Sequence, residues 1–183
     1  IELAYSLLFT LPGSPIVYYG DEIGMGDNIW LFDRNGVRTP MQWTSGPNAG
    51  FSSAPADSLY APVIAEPPFA PAQVNLADQR GDPGSLYSLV RRLIQVRKRT
   101  PALSCTHFEW LRDLPPAVAA YRRCAQGEIA LILNTLSDQP VQFSLAEDLP
   151  AGTLCTDLIT GAAFPAPSEW VLSPHQYRWL RLH

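Results

Sequence analysis

The hydrophobic pattern of residues 1–20 predicts a helix followed by a buried strand. The helical spacing of apolar residues starts at the first position without an N-cap, so we expect the chain to begin inside a helix, and Pro12-Gly13 ends it. The run PIVYYG at 15–20 is β-branched and aromatic without alternation, as in a strand covered on both faces. Helix and buried strand in this order are typical of a parallel α/β fold. The predicted helical face consists of Ile1, Leu3, Ala4, Leu7, Leu8 and Leu11.

Residues 24–84 carry no sustained hydrophobic period and are rich in Pro, Gly, Asn, Asp and Ser. This composition predicts a long irregular loop, which in a compact domain is typically functional or disordered. We expect its scattered aromatic side chains to pack onto other parts of the fold: Trp30, Phe32, Trp43, Phe51, Tyr60 and Phe69. After Gly84 the helical period returns and continues to Pro101, with one apolar face formed by Leu86, Leu89, Val90, Leu93 and Val96.

From residue 103 onward the pattern changes to short runs of β-type residues separated by turn signals, which predicts an antiparallel β-sandwich. We expect the three tryptophans in these runs to lie in its core, so that the sandwich offers no exposed aromatic platform; they are Trp110, Trp170 and Trp179. The predicted strands lie in THFEWL, AVAAYRRC, EIALILNTL, VQFSL, TLCTDLIT and EWVLSPHQYRWLRL.

Composition narrows the classes of partner. Hydrophobic residues make up 46% of the chain and charged residues 16%, which is typical of a globular protein. Thirteen basic against seventeen acidic residues give a net charge of -4, which favours neither nucleic acid nor an anionic membrane. No apolar run is long enough for a membrane helix, and we expect a cytoplasmic protein. The odd number of cysteines predicts reduced core residues, and no cofactor or metal site is expected.

Asp21 and Glu22 follow the first predicted strand, and Arg34 and Arg38 follow them in the loop. These four side chains suggest either a charge-paired polar site or a structural cluster that fixes the loop. Neighbouring residues at the end of a strand point to opposite faces, so the two carboxylates cannot act as a glycosidase acid and nucleophile pair. Trp43 suits either stacking on a sugar or packing.

Several ordered motifs resemble the α-amylase superfamily. GSPIVYYGDEIGM, RNGVRTPMQW, VNLADQ and SLYSLVRRLIQVRKRTPAL are similar to the last strand and helix of its catalytic barrel. LILN, DLITG and LSPHQYRWLRL resemble its C-terminal domain. The resemblance implies an α+β fragment: residues 1–100 as the end of a (β/α)8 barrel with an irregular loop over 24–84, and residues 101–183 as an antiparallel β-sandwich domain. Within the superfamily the motifs most resemble the trehalose synthases, and the oligo-α-glucosidases share RTPMQW.

The resemblance also implies a retaining reaction on α-linked glucose disaccharides or oligosaccharides, carried out by an aspartate nucleophile, a glutamate acid and base, and a second aspartate. Those carboxylates belong to earlier barrel strands, and the NHD triplet of the seventh strand is absent here. We therefore expect no catalytic residue in this chain and no activity from it alone. Arg34 matches an arginine that lines the substrate pocket entrance. Asp21, Glu22, Arg38 and Gln42 match motif positions that we assign to supporting the loop.

Two alternatives stay open on the sequence. The parent protein could be a hydrolytic oligo-α-glucosidase, or the chain could be a non-catalytic carbohydrate-binding or interaction module. An incomplete barrel cannot bury its interior, so residues 1–80 are expected to be partly disordered or to self-associate through exposed apolar faces.

Overall fold

The computed structural model describes all residues from 1 to 183. The chain divides into two compact units, one made of residues 1–15 and 92–183 and the other of residues 16–91. Four α-helices are present: α1 (Glu2–Thr10), α2 (Leu76–Arg80), α3 (Leu86–Arg99) and α4 (Pro101–Ser104). No helix is long and apolar enough to cross a bilayer.

Helix α3 forms where the sequence predicts it, and three of its predicted apolar positions, Val90, Leu93 and Val96, are fully buried. Three basic residues occupy its last turn, where their positive charges interact favourably with the negative end of the helix dipole. The shorter α2 is capped at its N-terminus by Asn75, whose side chain accepts a hydrogen bond from the Asp78 amide. The predicted loop contains α2 and three short 3₁₀ turns at Asp33–Arg38, Pro47–Gly50 and Ala56–Ser58, and a further 3₁₀ turn at Asp21–Ile23 precedes it.

The C-terminal part of the first unit is an antiparallel sandwich, as predicted. A six-stranded sheet has the order β1-β2-β3-β8-β5-β6, and β4 pairs with β7 in a second sheet. Leu131, Leu133, Phe143, Trp170 and Leu172 are among the side chains of the shared core. The strands are β1 (Phe108–Trp110), β2 (Val118–Ala125), β3 (Glu128–Thr135), β4 (Val141–Phe143), β5 (Leu154–Asp157), β6 (Ala163–Pro165), β7 (Trp170–Leu172) and β8 (Tyr177–Leu182).

Helix α1 forms as predicted, but it buries a different face. The buried residues are Tyr5, Ser6, Phe9 and Thr10. Two residues of the predicted face, Ile1 and Leu8, are exposed. The physical reason is hydrogen bonding within the first unit. Ser6 Oγ donates to Asn134 at 2.7 Å and accepts from the Trp179 indole at 2.8 Å, while the Thr10 and Tyr121 hydroxyls lie 2.6 Å apart. Polar residues in an otherwise apolar helix thus select the buried side.

Two arginines hold the C-terminal end of α1. Arg123 on β2 is fully buried and pairs with no carboxylate. Its guanidinium donates to the carbonyl oxygens of Thr10 at 2.5 Å, of His107 at 3.1 Å and of Cys105. Arg97 donates to the carbonyls of Phe9 and Gly13, and burial together with the nearby charge of Arg123 lowers its pKa. Main-chain acceptors at a helix end therefore satisfy a buried cation.

The strand predicted over residues 15–20 is absent. The structure has no ladder pairing there, and Ile16 is 82% exposed. A strand requires a neighbour to take its main-chain hydrogen bonds, and no strand of this chain lies beside the segment. The hydrophobic run is a property of the sequence, whereas the strand depends on a partner.

The expectation about the three tryptophans is also partly wrong. Trp170 and Trp179 are buried, but Trp110 is 51% exposed and contacts Phe108 and Tyr121 edge-on. Strand β1 lies at the edge of its sheet, so one of its faces stays open to solvent. The six aromatic side chains of the loop are exposed to different degrees: Trp30 and Phe32 project furthest, whereas Phe51 contacts Tyr60 edge-on and Phe69 packs against Gly26. The three cysteines are free, and Cys155 is the one that is fully buried.

Candidate functional site

Asp21 and Glu22 lie in a 3₁₀ turn rather than at a strand end. The Asp21 carboxylate accepts from the Tyr18 amide at 3.3 Å, and the Glu22 carboxylate accepts from the Gly20 amide at 2.8 Å. Gly20 has φ +93°, and a Cβ there would come within 2.7 Å of the Met25 sulfur, so the turn requires glycine at this position. Both carboxylates thus bind their own turn, and neither forms an ion pair with Arg34 or Arg38.

Arg34 lies on the next 3₁₀ turn, and its side chain is 67% exposed. Its Nε donates to Asp33 at 3.3 Å, and the remaining N–H groups have no partner in the chain. An exposed pair of this kind contributes only about 0–1 kcal/mol, so the side chain can exchange this contact for a ligand. The turn beneath it is fixed by the Asn28 amide, which donates to the Gly36 carbonyl at 3.1 Å.

Arg38 acts in the loop through its main chain. The carbonyl oxygen of Arg38 accepts from the Tyr60 hydroxyl at 2.5 Å, and that of Thr39 accepts from the Tyr19 hydroxyl at 3.0 Å. Burial, followed by the hydrogen bond and charge interaction with Tyr60, raises the pKa of Tyr19 well above its usual value. Two tyrosine hydroxyls therefore anchor the main chain of Arg38 and Thr39, the first two residues of RTPMQW.

Gln42 is fully buried and joins two segments of the second unit. Its Nε2 donates to the Phe69 carbonyl at 3.1 Å and to the Val74 carbonyl, while its Oε1 has no partner. The Gln42 main-chain carbonyl accepts from the Leu76 amide at 2.9 Å. A buried amide with this many main-chain contacts positions backbone rather than substrate. Next to it, Trp43 is 46% exposed.

Gln79 is a positioning residue that the sequence did not reveal. Its Nε2 donates to the Ile23 carbonyl at 2.7 Å, and its Oε1 accepts from the Tyr87 amide at 3.1 Å. The side chain thereby ties the carboxylate turn to the first turn of α3. The motif VNLADQ contains it, but nothing in the sequence shows which distant backbone groups an amide will bind.

The five predicted site residues do not converge on one point. Asp21 and Glu22 share one turn, whereas Arg34 lies on another, and none of the hydrogen bonds or ion pairs joins them to Arg38 or Gln42. No group of three or more His, Cys, Asp or Glu side chains could hold a metal ion. The arrangement can position a loop and offer free guanidinium donors, but it presents no paired acid and nucleophile.

The chain matches two family profiles. The alpha amylase catalytic domain matches residues 1–106, and the maltogenic amylase C-terminal domain matches residues 108–179.

Similar proteins include the trehalose synthase of Pimelobacter sp. (strain R48), which is 44% identical over 192 residues and aligns with 100% of this chain and 33% of its own length. The trehalose synthase/amylase TreS of Mycobacterium tuberculosis (strain CDC 1551 / Oshkosh) is 43% identical over 191 residues, covering 100% of this chain and 31% of that protein. The chain thus spans about a third of the length of these relatives.

Among solved structures, the trehalulose synthase MutB from Pseudomonas mesoacidophila MX-45 superimposes with a TM-score of 0.82. It is 24% identical and covers 100% of this chain and 38% of the MutB chain, so it supports the fold. An inactive double mutant of MutB has also been solved in complex with isomaltulose.

Proposed function

The chain belongs to the α-amylase family, and from this membership we propose that the full-length protein interconverts maltose and trehalose. The observation that carries the proposal is the 44% identity to a trehalose synthase along the whole chain. We further propose that residues 1–100 form the end of the catalytic barrel and residues 101–183 the C-terminal domain.

In this proposal the chain supplies the wall of an active site whose catalytic carboxylates lie outside it. A retaining enzyme needs a nucleophile and an acid about 5–5.5 Å apart. Asp21 and Glu22 do not serve as this pair, because each is already bound to a main-chain amide of its own turn. The reaction would form a glucosyl enzyme on a carboxylate while the acid protonates the departing glucose; this glucose, still held in the pocket, would then attack through a different hydroxyl as the same residue takes back the proton.

Arg34 is the residue of this chain that we assign to substrate binding. Its Nη groups are unpaired and exposed, and a guanidinium can donate a fork of hydrogen bonds to sugar hydroxyls. Closure of the pocket by such a contact would exclude water from the glucosyl enzyme and favour isomerisation over hydrolysis.

Asp21, Glu22, Arg38 and Gln42 are assigned to supporting the loop that carries Arg34. The supporting contacts are the two carboxylate hydrogen bonds within the Asp21–Glu22 turn, the Tyr60 hydrogen bond to the Arg38 carbonyl and the buried Gln42 amide. Removal of these contacts would displace Arg34 without removing a group that touches substrate.

The proposal is tested by incubating the full-length protein with maltose and identifying the products by ¹H NMR. We expect trehalose as the main product and little free glucose. Glucose as the main product would instead establish a hydrolytic α-glucosidase, and no turnover would refute both. The 183-residue chain alone is expected to leave maltose unchanged.

A second function, sugar binding by the sandwich, is favoured by the exposure of Trp110. Its ring could stack on a sugar face at the sheet edge. A Trp110→Ala variant of the full-length protein tests this function: weaker retention on an immobilised α-glucan supports it, and unchanged retention removes it.

A further inference from the structure

Two of the three free cysteines lie next to each other in the first unit. Cys105 directly follows α4, and its Sγ lies 3.0 Å from the carbonyl oxygen of Cys124 on β2. A carbonyl oxygen is about 2.4 Å from its own Cα, so the Cys105 sulfur lies within about 5.4 Å of the Cys124 Cα. In a disulfide this sulfur-to-Cα distance is about 3–4.5 Å, so a small rotation of the two side chains brings the sulfurs into bonding range.

The main chain on both sides of this contact is held in place. Arg123 donates to the Cys105 carbonyl and, at 3.1 Å, to the His107 carbonyl. Cys124 belongs to β2, which pairs with β1 on one side and with β3 on the other. The Cys105 sulfur also lies 3.0 Å from the Ala102 carbonyl oxygen, so it is held between α4 and β2. A fixed backbone therefore sets the closeness of the two thiols.

The environments of the three cysteines differ. Cys105 and Cys124 are partly buried, whereas Cys155 is fully buried in the sandwich core. Burial, followed by the charge interaction with Cys105, raises the pKa of the Cys124 thiol. Burial is the one cause that raises the pKa of Cys155, which has no charged neighbour of this kind. Cys155 is therefore an internal control for a reaction between the other two thiols.

We propose that Cys105 and Cys124 form a reversible disulfide when the protein is oxidised by a peroxide. The Cys105 thiolate attacks one oxygen of hydrogen peroxide, the O–O bond breaks, and a sulfenic acid and hydroxide form. The Cys124 thiolate then attacks the Cys105 sulfur, so the S–S bond forms while the S–O bond breaks and a second hydroxide leaves. The two thiol protons convert both hydroxides to water, and the two electrons lost by the sulfurs reduce the peroxide.

Cys105 takes the first step because burial keeps the Cys124 thiol protonated to a higher pH. Hydrogen peroxide is a molecule of about the size of water, so the reaction requires no docking face on the protein. The disulfide would close a loop of about 20 residues and fasten the connection between α4 and β1 to β2. The proposal is independent of the proposed activity on maltose.

Peptide mapping of the full-length protein without reduction tests the proposal, after treatment with a few equivalents of hydrogen peroxide and blocking of free thiols with N-ethylmaleimide. We expect one linked pair of peptides that contains Cys105 and Cys124, and dithiothreitol should abolish it by thiol exchange. Cys155→Ser is the matched control and should give the same linked pair. The melting temperature of the oxidised protein should rise by about 2–4 °C, because the cross-link restricts the unfolded chain.

A second variant separates the two chemical steps. In Cys124→Ser the sulfenic acid at Cys105 has no thiol to react with, so its labelling by dimedone should exceed that of the wild type several-fold. The melting temperature of the reduced variant confirms that it is folded, and peroxide should not raise it. Three results would overturn the proposal: both cysteines remain free thiols after peroxide, either is oxidised to sulfinic acid without a linked pair, or Cys105 is linked to a cysteine other than Cys124.

Discussion

At the scale of single residues, the assignment of Arg34 to substrate binding rests on its solvent-exposed side chain. Its one contact in the chain is to Asp33, and both side chains are more than half exposed. The side chain is therefore available to a substrate, and substitution should leave the fold unchanged.

Arg34→Ala in the full-length protein is expected to raise the ratio of glucose to trehalose formed from maltose by several-fold, because water would reach the glucosyl enzyme more often. The ratio is read from product integrals in NMR time courses. Arg112→Ala, a change at an exposed arginine without an ion pair, is the matched control. An unchanged ratio in Arg34→Ala removes the gating role.

Arg123 represents the opposite situation, a buried arginine whose value is structural. Arg123→Met would leave the carbonyls of Thr10, Cys105 and His107 without their donor. We expect a loss of about 2–5 kcal/mol in the free energy of unfolding, measured by urea denaturation. Arg112→Met should change stability by less than about 0.5 kcal/mol. Equal stability of Arg123→Met and wild type would show that these carbonyls find other partners.

At the scale of elements, the hydrophobic period located α1, α3 and most strands but not the environment of each. In α1 the apolar period predicted a buried face without Ser6 and Thr10, but hydrogen bonds from these two side chains select the side that is buried. The turn at 173–176 divides the last predicted run into β7 and β8, and the short β6 was not predicted. Trp110 was assigned to the core from its strand pattern, but a pattern does not reveal that its strand is an edge.

The contact between α1 and β8 should make the free energy of unfolding depend on pH in the alkaline range. The Tyr177 hydroxyl donates to Glu2 at 3.3 Å, and burial together with this carboxylate raises the pKa of Tyr177 from 10.0 to about 12. The unfolded chain releases this proton first. The stabilisation is therefore fully present below pH 10 and is lost as pH rises toward 12.

We expect the melting temperature to fall between pH 10 and 12 and the fall to be smaller in Tyr177→Phe, which cannot ionise. Scanning calorimetry across this range measures both. Identical pH profiles for the two proteins would show that Tyr177 does not contribute to the decline.

At the scale of the whole molecule, the family could be predicted from ordered motifs, because turn residues and hydrophobic runs at fixed positions specify a local backbone. The site could be predicted only in part. The sequence identified Gln42 and Arg38 as motif positions, but their contacts to Phe69, Val74 and Tyr60 depend on long-range folding. The approach of Cys105 to Cys124 was missed for the same reason, since folding of the sheet brings the two residues together.

The chain on its own leaves large apolar side chains exposed, including Ile16 at 82% and Phe32 at 88%. We expect the 183-residue chain to self-associate as its concentration rises, because contiguous apolar surface is removed from water by contact between copies. Light scattering coupled to size exclusion should give masses above the 20.2 kDa of a monomer. A monomeric mass at every concentration up to about 100 µM, where a contact worth about 5–6 kcal/mol would be half-formed, contradicts the prediction.

The proposed function stands on isomerisation of maltose by the full-length protein without release of the glucose. The most direct test is turnover of unlabelled maltose in the presence of excess ¹³C-glucose, followed by NMR. We expect trehalose to form and to remain largely unlabelled, because the glucose that leaves maltose is the one that attacks the glucosyl enzyme. Trehalose that carries the label, or glucose as the sole product, would contradict it.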